Sequence, residues 1–186
     1  HLGISEELLE DCKVGLNTTT SVDDETGDVT ITPDTSSSYL VFPIIIGNRI
    51  LDQRSYTMDK SVLPKSRSKP GVKGGLVLPH HLWFNDMRPT IICEGEKDML
   101  FARQNGFNAI SLGGCNNIPT TLLEHFRNRT IYIVYDNDVA GKAGAIKLAN
   151  ALYSVTKTIH IANIGEYVKE DKEDITDFFV KYKYTA

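Results

Sequence analysis

The sequence is poor in cysteine, has one tryptophan and contains no long apolar run, and each shortage removes a class of protein. Its three cysteines, Cys12, Cys93 and Cys115, are odd in number and far apart, and none forms a C-x-x-C pair. Neither a disulfide framework nor a structural zinc site is therefore expected, and reduced thiols in a cytoplasmic protein are the simple reading. No stretch approaches the ~20 apolar residues that span a bilayer, and there is no signal peptide, so no membrane partner is expected. The chain opens on His1 rather than Met, which reads as a fragment or a trimmed chain. A P-loop is missing as well. Gly141-Lys142-Ala143 lacks the upstream glycine and the trailing Ser or Thr, so no helicase-type ATPase is expected within these residues.

What is present is enough for one ordinary domain or two small ones: 186 residues, 41% of them hydrophobic. The net charge of −4 would disfavour a nucleic-acid partner if it were spread evenly. It is not. Seven Lys and Arg residues (Arg49, Arg54, Lys60, Lys65, Arg67, Lys69 and Lys73) stand against Asp52 and Asp59. Between Glu166 and Asp177 six acids stand against Lys169 and Lys172. A basic segment suits phosphate backbone and an acidic one suits a cation, although two solvated surfaces would give the same counts.

Periodicity divides the chain near residue 88. Before it, residues 5–12 read as a short helix with Ser5 as N-cap and acids in the first turn. Residues 17–38 read as a long loop or, with a turn at 24–27 and strand propensity at 29–32, as a hairpin. Residues 39–46 and 49–57 read as paired strands joined by Gly47-Asn48. Residues 60–75 lack periodicity and hold Pro, Gly, Ser and most of the basic charge. After residue 88, strands at 90–93, 107–111, 130–135 and 158–162 alternate with helices at 96–104, 119–127, 139–153 and 175–182. That alternation predicts βαβ units on a parallel sheet, hence an α/β fold with a mostly parallel sheet flanked by helices, preceded by a small mixed α+β subdomain. The expected division is 1–88 and 89–186.

The chemistry lies at strand ends. Glu94-Gly95 follows the first strand of the α/β unit, and Asp136-x-Asp138 follows the third. In parallel sheets ligands bind outside the carboxyl ends of the strands, so these three carboxylates can converge. Clustered carboxylates repel one another unless protons or cations compensate. Mg²⁺ (or Mn²⁺) suits them, because it takes oxygen ligands and needs only one or two protein carboxylates beside substrate phosphates. Glu173-Asp174-x-x-Asp177 follows the last strand and could supply a second cation position through Asp174 and Asp177. The plainer alternative is that the acids cap helices, with Asp98 in the first turn of one and Asp138 just before another. His80 and His81 read as ordinary surface or loop histidines, and Trp83 and Phe84 as packing between subdomains.

These motifs resemble the Toprim family, shared by bacterial replicative primases, topoisomerases and some nucleases. The pattern is Ile91-Ile92-Cys93-Glu94-Gly95 and Ile133-Val134-Tyr135-Asp136-Asn137-Asp138-Val139-Ala140-Gly141. The Asp-x-Asp-x-Ala-Gly form and Ala109-Ile110-Ser111-Leu112-Gly113-Gly114 look like DnaG-type bacterial and phage primases. Upstream, Leu63-Pro64-Lys65 and Val72-Lys73-Gly74-Gly75-Leu76 resemble that family's Pro-Lys and Lys-Gly elements, and Arg54 lies on the strand where the family places an Arg. The family's zinc-binding module is absent, and the third acidic motif is looser than usual.

The resemblance implies a DNA primase core that makes RNA primers on single-stranded DNA by Mg²⁺-dependent nucleotidyl transfer. Glu94, Asp136, Asp138, Lys65 and Lys73 would be catalytic. Metal would sit on Glu94, Asp136 and Asp138, and on Asp174 and Asp177. Template and nucleoside triphosphates would meet Arg54, Lys65, Arg67, Lys69, Lys73, Ser111 and Gly113. A replicative helicase, fused or recruited outside these residues, would be the partner. The location would be cytoplasm or nucleoid, or host cytoplasm for a phage or mobile element. Two alternatives stay open: a Toprim nuclease that hydrolyses phosphodiesters, and a non-catalytic, metal-stabilised nucleic-acid-binding module.

Overall fold

The computed structural model describes residues 3–22, 26, 29–33, 39–46, 49–57, 61, 66–68, 77–168 and 173–183. The Gly47-Asn48 turn and Lys65, Lys69 and Lys73 lie outside them. No described helix is long and apolar enough to cross a membrane.

The N-terminal part is built on antiparallel pairing. Helix α1 (Glu6–Asp11) starts where Ser5 Oγ accepts the Leu8 N–H at 3.2 Å. Strand β1 (Gly15–Leu16) pairs with β4 (Tyr39–Ile46), β4 with β5 (Arg49–Thr57), and β5 with β6 (Ser66–Ser68). Between β1 and β4, β2 (Thr18–Val22) and β3 (Val29–Pro33) form their own hairpin, so the second of the two readings of 17–38 holds. Arg67 lies on β6, opposite Ser55.

A parallel sheet of order β10-β9-β7-β8 carries the rest, with β7 (Thr90–Cys93), β8 (Asn108–Ser111), β9 (Thr130–Val134) and β10 (Thr158–Ile161). Side chains alternate between its faces. Ile92, Ile110, Ile131 and Ile133 point to one core, covered by Ala145, Leu148 and Leu152 of helix α4 (Val139–Leu152) and by Leu122 and Phe126. Cys93 and Ala109 belong to the other, with Met99–Ala102 of α3 (Glu96–Gln104) and with Ile175 and Phe179 of α5 (Ile175–Val180). That second core also holds Cys12, Phe42 and Ile44, so packing runs across residue 88. One backbone bridge crosses there too: Leu78 and Ser111 exchange hydrogen bonds of 2.9 and 2.8 Å.

The helix expected over residues 119–127 is present as a 3-10 helix, Thr120–Phe126. Its seven residues include the β-branched Thr120 and Thr121, which favour neither long helices nor α-propagation. His80 is no surface histidine. It sits on the short helix α2 (His80–Trp83), is 3% exposed, bonds His125 through its Nε2 at 2.9 Å and stacks on Phe84. Trp83 beside it is wholly buried against Phe126, donates to Thr90 Oγ1 at 3.0 Å and carries the Arg129 guanidinium 4.4 Å above its ring. The burial of His80 costs its charged form, and its pKa falls to about 4, through desolvation first and then through neighbouring His125.

Candidate metal and phosphoryl-transfer site

Strand order reverses between β7 and β9: the chain leaves β7 for β8 on one side and reaches β10 from β9 on the other. A crevice opens at such a switch point, at the carboxyl ends of the strands. Glu94 follows β7 there, and Asp136 follows β9 by two residues.

Glu94 is half-buried, and its Oε2 is enclosed without a hydrogen-bond partner in the structure. Burial raises its pKa, opposed by the Cys115 thiol and the backbone N–H groups of Asp136 and Cys115. Asp136 is pushed up to about 8, by desolvation first and then by the charges of Asp98, Glu94, Asp174 and Asp138. Asp138 is also the N-cap of α4, accepting the Gly141 N–H at 2.7 Å. Capping and site membership are thus not exclusive for this residue. Gly141 is required: a Cβ there would drive into the carbonyl of Asp136.

Asp98 joins the group, although it reads in sequence as a helix-start residue. It is 7% exposed, accepts from Thr176 Oγ1 at 2.6 Å, and its pKa is raised by burial and by the charge of Asp174. The available signal was its spacing, four residues beyond Glu94 with Gly95 as helix N-cap, which returns it to the same end of the sheet. Asp174 and Asp177 form the capping box of α5, with Asp174 Oδ1 accepting the Asp177 N–H at 2.9 Å and Asp177 Oδ2 accepting the Asp174 N–H at 3.2 Å.

The Gly-rich turn after β8 is held tightly. Ser111 is fully buried, accepts the Gly113 N–H at 2.9 Å and donates to the Glu94 carbonyl at 3.3 Å. Arg54 Nη2 donates to the Gly113 carbonyl at 2.6 Å, and its Nε meets the Glu96 carboxylate, which is 2% exposed. Arg54 therefore ties β5 to the start of α3 and to the turn at Gly113.

Among the described residues, no group of three or more His, Cys, Asp or Glu side chains is placed to hold a metal ion by itself. The donor set still fits a divalent ion. Mg²⁺ keeps several waters and needs only one or two carboxylates, and a partnerless buried carboxylate oxygen beside an aspartate that retains its proton is a site short of positive charge.

Residues 91–179 match the Toprim-like family model. Among solved structures, a chain of the bacteriophage T7 complex of lagging-strand DNA polymerase with primase domains bound to an RNA/DNA hybrid and dTTP superposes with a TM-score of 0.68 at 20% identity, covering 97% of this chain and 83% of that one. The Aquifex aeolicus primase (zinc-binding and RNA polymerase domains) gives 0.68 at 16% identity, over 97% of this chain and 51% of that one, so the present chain spans about half its length. The RNA polymerase domain of Mycobacterium tuberculosis primase DnaG gives 0.67 at 14%, over 97% and 69%. At these identities the likeness establishes the fold. The curated proteins give no match.

Proposed function

With residues 91–179 a Toprim-like domain, in a chain that has the fold of DnaG-type primase cores, we propose that this protein is a primase catalytic core, making RNA primers on single-stranded DNA by Mg²⁺- or Mn²⁺-dependent nucleotidyl transfer. The observation that carries the reading is geometric: Glu94 and Asp136 stand at the carboxyl ends of the adjacent strands β7 and β9, where Glu94 Oε2 is buried without a hydrogen-bond partner. A divalent ion would supply that partner.

Glu94 and the Asp136/Asp138 pair would hold one divalent ion, with Asp174 and Asp177 as the candidate second position. A bound ion would neutralise triphosphate charge and favour the ionised 3′-hydroxyl. The chain's own residues do the positioning. Ser111 and the clamp of Arg54 fix the turn at Gly113, giving the triphosphate a rigid edge. Arg54 would reach nucleotide only by leaving or sharing Glu96. The basic residues Lys65, Arg67, Lys69 and Lys73 would follow the template backbone, with residues 1–88 as the template-facing subdomain. A replicative helicase would deliver the template, in the cytoplasm of a cell or of a phage host.

The test is primer synthesis on single-stranded templates with ribonucleotides and Mg²⁺ or Mn²⁺. Glu94→Gln is expected to abolish it. Strand shortening without nucleotides would point to a nuclease, and DNA binding with no turnover under any metal to a binding module. Either outcome overturns the reading.

A further inference from the structure

Lys97 stands inside the acidic cluster. It lies in the first turn of α3, and its Nζ bonds Asp174 Oδ2 at 2.8 Å and approaches Asp98 Oδ1 at 4.0 Å. The side chain is 27% exposed, so it is turned inward for most of its length. The ammonium is thus held between two carboxylates.

The carboxylates it faces are otherwise engaged. Asp174 uses Oδ1 to cap α5, and Asp98 Oδ1 takes the Thr176 hydroxyl. A divalent ion arriving at Asp174 would have to break the ion pair with Lys97 and then sit beside the displaced ammonium. That costs both a part-buried hydrogen-bonded pair and a like-charge contact. At Glu94 the situation is opposite: its buried Oε2 has no hydrogen-bond partner.

We propose that the Lys97 ammonium is a built-in cation at the second cation position, so that the cluster binds one divalent ion, at Glu94 and the Asp136/Asp138 pair. This rests on reading those three acids as a divalent-cation site. It departs from a two-ion arrangement with Asp174 and Asp177 as ligands. Lys97 here acts on charge balance and is a positioning residue, fixed by its contact with α5.

The experiment is Mn²⁺ binding to the 186-residue chain, counted by the electron paramagnetic resonance of the free ion, for wild type, Lys97→Met, Lys97→Arg and Glu94→Gln. Wild type and Lys97→Arg are expected to bind one ion, Lys97→Met two, and Glu94→Gln at least tenfold more weakly than wild type. Two ions in wild type, or one in both wild type and Lys97→Met while Glu94→Gln is weakened, overturns the inference and leaves the cation site standing. No bound ion in wild type or in Lys97→Met overturns both. Should Lys97→Met fail to fold, acetylation of Lys97 in wild type, followed by mass spectrometry, decides. Reactivity unchanged at saturating Mn²⁺ is expected, and a several-fold rise would show that an ion evicts the ammonium.

Discussion

Asp136 binds its proton in the folded protein up to about pH 8, whereas an ordinary aspartate loses it near 3.8. The sign follows directly. The folded state holds more protons than the unfolded state between those values, so without divalent ions stability falls as pH rises from about 4 to about 8. One pKa unit corresponds to ~1.4 kcal/mol, and after allowance for partial exposure the loss across this window is about 2 kcal/mol. Thermal unfolding from pH 5 to 8 should show the decline, Mg²⁺ should oppose it increasingly with pH, and Asp136→Asn should flatten it. A pH-independent effect of Mg²⁺ would separate Asp136 from the cation. Sequence reading singled out Glu94, Asp136 and Asp138, because each follows an apolar strand whose end is legible from the pattern. It gave Asp98 only a capping role and passed over Lys97, because the meaning of both lies in what α5 brings to them from almost eighty residues away. A lysine between two acids looks like any solvated helix start until that contact exists.

Between elements, two contacts decide whether the site keeps its shape. Arg54 joins β5 to the buried Glu96 of α3 and to the Gly113 turn. Replacing it with Ala leaves a buried carboxylate uncompensated, a loss of about 3–5 kcal/mol. Arg54→Lys cannot reach both partners and should recover less than half. Denaturant titration measures this without any nucleotide; unchanged stability would leave Arg54 with the nucleotide role alone. Gly141→Ala forces α4 away from the Asp136 carbonyl, and overpacking of this kind costs about 1–3 kcal/mol. Mn²⁺ affinity should fall with it, since Asp136 must move. Element boundaries themselves were readable: β4, β5, β7 and α3 run where hydrophobic alternation and Gly or Asn breaks put them. The span of Thr120–Phe126 was readable too, though not its 3-10 winding, whereas the short α2 was not, because its geometry comes from packing around Trp83 and Phe126 rather than from periodicity.

Over the whole molecule, charge is segregated: seven Lys and Arg residues between Arg49 and Lys73, in a chain of net charge −4. If that segment follows a template, affinity for single-stranded DNA should drop on the order of a hundredfold or more from about 50 to about 200 mM salt. Fluorescence anisotropy on a labelled oligonucleotide checks it, and a flat response would move DNA contact elsewhere. The bond from Lys97 to Asp174 has a temporal side as well. It closes a span of 77 residues and requires α5, the last helix described, to be docked. Contacts of such separation carry a large closure entropy and form late. During synthesis, then, the acids at the ends of β7 and β9 meet before the ammonium gains its partner on α5. Cations that neutralise those acids should accordingly speed the approach to the fold, and not only slow escape from it. The mutual repulsion of the acids is then greatest in the interval before α5 docks.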